Sequence, residues 1–201
     1  MRVKGVDVLS WYQPMEVQVG VSATELRVVG IAGRPVRSTA ARSEFEVFYR
    51  REYAPVVALA FALCGRGAAA EDLAQEAFLK TYQHWSRVGH YDRPAAFVRR
   101  VVANMAVSVS RRRAVEGRAL VGLAGRTRSS VDELEPVDAA FWQHVRSLPR
   151  RQAQCVALFY LEDRSTEEIA EILHCSVSTV RVHLHRGRMT LEERLREGRR
   201  R

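Results

Sequence analysis

From Ser43 to about Arg113, and again from Ala139 to about Leu195, apolar residues recur at intervals of three and four, the spacing of one helix face, and no stretch there alternates long enough to predict a half-buried strand. Phe45, Phe48 and Tyr49 mark a first helix. Pro55 is expected to kink it or to open a second piece carrying Val56, Val57, Ala60, Phe61 and Cys64, which Gly65 and Gly67 then stop. From about Ala69 to Trp85 a stripe of Ala74, Ala77, Phe78, Thr81, Tyr82 and Trp85 is wide enough to bury. Pro94 opens a helix from Ala95 to about Arg113, with Phe97, Val98, Val101, Val102, Met105 and Val109 inward. A further helix, Ala139 to Leu148, takes Asp138 as its expected cap and turns Phe141, Trp142, Val145 and Leu148 inward; Pro149 separates it from another that reaches Leu161.

The last part of the pattern is sharper. Ser165-Thr166-Glu167-Glu168 reads as a capping box, in which serine hydroxyl and glutamate each satisfy a free backbone amide. Ile169, Ala170, Ile172 and Leu173 face inward, His174-Cys175-Ser176 makes a turn, and Ser176 caps a second helix anchored by Val180 and Leu184. The first helix of this pair is acidic (Glu167, Glu168, Glu171), whereas Val177 to Arg188 contains Arg181, Arg186, Arg188, His183 and His185 and no carboxylate. That charge split predicts a helix-turn-helix whose second helix reads DNA. Ser178, Thr179, Arg181, Val182, His185 and Arg186 remain outward, with chemistry suited to a major groove: arginine for guanine, hydroxyls for base edges or phosphate, valine for a thymine methyl.

Between the patterned halves, residues 114–138 lose periodicity, gather Gly117, Gly122, Gly125 and Pro136, and end in an acidic run. The expected architecture is therefore all-α: two small helical domains joined by a flexible linker, the C-terminal one a helix-turn-helix. Its divisions fall at 1–42 (an N-terminal extension without sustained period, expected to be flexible), 43–113, 114–138 and 139–198.

A formal net charge of +9 over 201 residues favours a polyanionic partner. The basic excess lies in 41–113 and 139–201, on either side of a net acidic 114–138. No apolar run approaches the roughly 20 residues of a membrane span, and no secretory leader is legible, so a cytoplasmic protein without membrane insertion is expected. Cys64, Cys155 and Cys175 form neither a CxxC pair nor a disulfide framework and read as reduced thiols. His174, Cys175, His183 and His185 lack a recognised ligand spacing, and HExxH, nucleophile-elbow and phosphate-loop motifs are absent. Neither enzyme activity nor a cofactor is expected.

Two further faces carry chemistry. Opposite the buried stripe of the second helix stand Asp72, Gln75, Glu76 and Leu79. Carboxylates in a first turn are ordinary helix chemistry, but an apolar Leu79 among them suits a protein partner better than DNA. Residues 93–113 hold six arginines without one acid. Arg99, Arg100, Asn104, Arg111 and Arg112 suit single-stranded or melted DNA, held by a cationic groove and stacking, while nearby Phe97 and Trp85 serve either as stacking platforms or as core.

The resemblance now becomes specific. Asp72-Leu73-Ala74-Gln75-Glu76-Ala77-Phe78, then Pro94 through Asn104, then Leu148-Pro149-Arg150-Arg151-Gln152, then Thr179 through Arg188 resemble, in that order, the extracytoplasmic-function sigma factors of bacterial RNA polymerase, especially their actinobacterial branch. The likeness spans about Ser43 to Leu195. It implies a specificity subunit in which Asp72, Gln75, Glu76 and Leu79 dock on the coiled coil of the polymerase's largest subunit. Arg99, Arg100, Asn104, Arg111 and Arg112 would recognise and melt the proximal (−10) promoter box. Ser178, Thr179, Arg181, Val182, His185 and Arg186 would read the distal (−35) box while their domain meets the polymerase flap. RNA polymerase core, promoter DNA and an anti-sigma factor are the implied partners. Ser108 stands where the family often has aspartate, Phe97 where it has tryptophan, and Val182 and His183 replace the usual serine and basic residue, so promoter preference does not carry over. The rival reading is a self-sufficient helix-turn-helix regulator, which leaves the Asp72 face and the arginine-rich helix without a role.

Overall fold

The computed structural model describes the backbone of residues 39–120 and 136–198, and the side chains of 41–109 and 140–198. Every described element is a helix: α1 (Thr39–Cys64), α2 (Gly67–Gln83), α3 (Trp85–Val88), α4 (Pro94–Leu120), α5 (Pro136–Arg146), α6 (Arg150–Tyr160), α7 (Thr166–Leu173) and α8 (Val177–Gly198). The expected extension lies outside the described residues, apart from its last four, which begin α1; so do positions 121–135 of the linker.

Pro55 does not divide α1, which runs on through it. A proline inside a helix removes one hydrogen bond and costs about 3 kcal/mol, but every residue from Val56 to Cys64 is buried. A helix apolar on all sides is a central one, and α1 packs against α2 and α4 on one hand and α5 and α6 on the other. Burial of that segment outweighs the proline. Gly65 ends it with φ +76°, a conformation that favours glycine; a Cβ there would stand 2.8 Å from Arg146 Nε, so that flexible side chain would have to shift.

Other boundaries shift for legible reasons. α2 ends at Gln83, and a break at His84 separates it from the single turn of α3. α4 continues to Leu120, seven residues past the expected end, because Ala114 to Leu120 are mostly good helix formers and Gly117 alone does not stop them. α5 starts at Pro136, whose fixed φ suits a first helical position, so Asp138 falls inside the helix instead of capping it.

An aromatic-rich layer in the N-terminal half and an aliphatic one in the C-terminal half position the functional faces. Phe45 and Phe48 meet Trp85 at ring-centroid distances of 5.1 and 4.9 Å, which settles Trp85 as core, 5% exposed. In the C-terminal half Val156, Leu158, Ile169, Leu173, Val180 and Leu184 are buried together. Gly187 lets α8 approach α6: a Cβ at 187 would sit 3.0 Å from Val156 Cγ2.

Candidate nucleic-acid interface

The helix-turn-helix is built from its caps outward. Ser165 Oγ accepts from the Glu168 amide at 3.1 Å while Glu168 Oε2 accepts from the Ser165 amide at 2.9 Å. The hydrogen bond from the Ser165 amide, helped by the nearby Arg164 guanidinium, holds the Glu168 carboxyl below the usual carboxylate range against a smaller opposing effect of burial. His174 takes the left-handed conformation at the end of α7 (φ 50°) and turns the chain. Ser176 Oγ accepts from the Thr179 amide at 3.1 Å, opening α8. Val180 and Leu184 are buried, leaving Ser178, Arg181, Val182, His185 and Arg186 exposed and Thr179 half-buried. All six residues assigned to the reading face thus share one outward flank of the helix, and Val182 presents bare apolar surface, 46% exposed. His183 points elsewhere: burial and the cations Arg151 and Arg186 push its imidazole toward the neutral form.

On α2, Asp72, Gln75, Glu76 and Leu79 are all exposed at spacings of three, four and seven, hence on one face. Leu79 is 53% exposed, and Glu76 is steadied by Lys80 at 2.7 Å one turn on. This face thus sets one apolar side chain beside two carboxylates and an amide.

The α4 residues do not form one open face. Arg99 is 2% exposed. Its Nη1 donates to Glu52 Oε2 at 2.7 Å and its Nε to Glu162 Oε2. Burial raises the Glu52 carboxyl, but hydrogen bonds from Arg99 and Arg51 outweigh it and leave that group below the usual range. Asn104 is half-buried, its Oδ1 accepting from Arg150 Nη2 at 2.5 Å and Gln154 Nε2 at 3.0 Å. Arg100 lies over the Phe97 ring, 5.5 Å from the centroid, beside an open cleft of about 380 Å³ that Tyr91, Arg93, Glu171 and His174 also line. The Arg111 and Arg112 side chains lie outside the described residues; Ser108 Oγ donates to the Asn104 carbonyl at 2.8 Å.

Sequence reasoning missed the partners of this seam. Arg150 lies within the Leu148-to-Gln152 block and Gln154 just beyond it, but Glu52 and Glu162 carry no local signal at all, since a pairing across 47 or 63 residues leaves no periodic trace. Among the described residues no group of three His, Cys, Asp or Glu side chains could hold a metal ion, and no helix is long and apolar enough to cross a membrane.

This arrangement matches two family models: Sigma-70 region 2 over residues 48–115 and Sigma-70, region 4 over residues 139–191. The RNA polymerase sigma-E factor of Streptomyces avermitilis is 30% identical over 152 residues, covering 76% of this chain and 85% of that protein. The ECF RNA polymerase sigma factor SigW of Bacillus subtilis is 28% identical over 153 residues, covering 69% and 82%. In fold, the chain resembles the sigma factor RpoE solved with the anti-sigma factor NepR from Bartonella quintana (TM-score 0.55, 22% identity, 77% of this chain and 98% of that one). A chain joining both regions is a sigma-70-type initiation factor rather than a self-sufficient regulator. It belongs to the extracytoplasmic-function sigma factors of bacterial RNA polymerase.

Proposed function

We propose that this sigma factor acts in the cytoplasm as a non-enzymatic specificity subunit, docking on core polymerase through Asp72, Gln75, Glu76 and Leu79. Arg99, Arg100, Asn104, Arg111 and Arg112 then engage and melt the proximal box, and Ser178, Thr179, Arg181, Val182, His185 and Arg186 read the distal one. The observation that carries this reading is the coexistence, in one chain, of the exposed acidic-apolar face of α2 and the exposed hydroxyl-cation face of α8. Core polymerase holds the two regions at a fixed spacing, so two weak DNA contacts act at high effective concentration. An anti-sigma factor is a natural antagonist, by analogy with the RpoE structure.

Transcription with sigma-free core tests this directly. Asp72→Ala with Glu76→Ala should cut promoter-specific transcripts by at least about tenfold, the equivalent of about 1.4 kcal/mol, with unchanged circular dichroism because both side chains are exposed. Undiminished transcripts would overturn the docking assignment.

A further inference from the structure

On the reading just proposed, α8 meets the distal box through Ser178, Thr179, Arg181, Val182, His185 and Arg186, and Arg188 is not among them. It nevertheless stands on the same flank. Arg181, His185 and Arg188 follow one another at spacings of four and three, the period of one helix face, and all three are exposed. What sets Arg188 apart is its seat. Gly187 lets α8 close on α6, where a Cβ at 187 would already press on Val156, and the next residue thereby reaches the last two residues of α6. The Arg188 guanidinium lies over the Phe159 ring, 4.8 Å from its centroid, and 5.5 Å from the centroid of Tyr160. Those rings meet edge to face at 5.1 Å, and Tyr160 meets Phe141 of α5 at 6.4 Å, so the platform is itself braced.

An arginine laid against aromatic rings spends its flat face and keeps its N–H donors. Nothing within the protein answers their charge. Among the described residues no carboxylate pairs with Arg188; Glu192, four residues on and at the spacing for such a pair, is taken by Arg196 at 2.5 Å. Arg181, by comparison, meets Glu167 at 3.7 Å. Arg188 is thus a cation held in place, unneutralised and exposed, at the edge of the face assigned to DNA.

We infer that Arg188 is a phosphate grip, a DNA-binding residue beyond those that read bases, which holds the backbone bordering the distal box and so fixes the rotation of α8 in the groove. Phosphate contacts carry register and orientation, whereas base contacts carry sequence. A guanidinium already seated on rings loses less freedom on binding than one on a free stem, and its planar fork suits two phosphate oxygens. Arg188 lies seven residues beyond Arg181, about 10 Å along the helix axis. The two cations stand on either side of His185, so a tilt of α8 that moved the reading residues off their base pairs would break one of the grips.

The test uses the full-length chain bound to core polymerase and a short duplex that carries the distal box and stops before the proximal one. Arg188→Met keeps an unbranched side chain on the rings and removes the charge. It should weaken binding about fivefold, make the slope of log affinity against log salt shallower by about 0.9, and do both equally on boxes of altered sequence. Arg188→Lys, which keeps the charge without the flat stack, should retain the slope and lose about twofold in affinity. A methionine variant that binds as tightly as the unaltered chain overturns the grip. So does a loss of affinity with the slope intact, which would make Arg188 a structural prop, and so does a loss confined to particular base pairs. Should Arg188→Met fail to fold, Arg188→Gln is read in the same assays against the same expectations. Distal-box reading is scored separately on the unaltered chain: equal affinity for every box sequence would refute that reading, while a shallower slope for the methionine variant would still place Arg188 on phosphate.

Discussion

At the residue scale the reading helix owes its presentation to a residue in an unusual conformation. His174 sits at φ 50°, where a side chain other than glycine is strained by about 1–2 kcal/mol, and it is exposed. His174→Gly is therefore expected to raise stability by about 0.5–1 kcal/mol after the extra freedom of glycine in the unfolded chain is deducted, seen as a higher urea midpoint. Glu168 adds a pH dependence. Its carboxyl titrates below the usual carboxylate range when folded, so its contribution is fully present above about pH 4.5 and is lost as pH falls through the folded value. Thermal melts of Glu168→Gln should consequently lie below those of the unaltered chain at pH 7 and draw closer to them at pH 3. Equal separation at both pH values would refute the capping role.

At the element scale two helices depend on single atoms. Removing the Ser165 hydroxyl orphans the Glu168 amide, and Ser165→Ala should cost about 1 kcal/mol. Gly187→Leu forces α8 away from α6, since Val156 is fully buried and has nowhere to move; overpacking of this kind costs about 1–3 kcal/mol. Calorimetry reads both losses. Elements of this type were legible in the sequence because their signals are local: the capping box, the serine before α8, and the Val180–Leu184 spacing all fall within a few turns. The exposed faces of α2 and α8 were legible for the same reason. Asp138 misled because the competing starter Pro136 set the outcome, and the continuity of α1 through Pro55 was decided by burial that the local pattern does not encode. The fate of Arg99 and Asn104 lay wholly in long-range pairing, which a helical period does not encode.

At the scale of the whole molecule, affinity and access are governed separately. A chain of net charge +9 binds promoter duplex chiefly through phosphate, so the free protein should bind weakly and lose about tenfold or more between 50 and 200 mM salt, as anisotropy titration would report. Tight, salt-insensitive, sequence-specific binding by the free chain would contradict a reading that divides recognition between two regions. The central helix adds a last constraint. Because α1 is apolar on every side from Val56 to Cys64 and is flanked by helices of both halves, parting the halves strips one flank of it of cover. Separation of the halves would therefore uncover apolar surface, and limited proteolysis is expected to cut a separated molecule faster than a closed one.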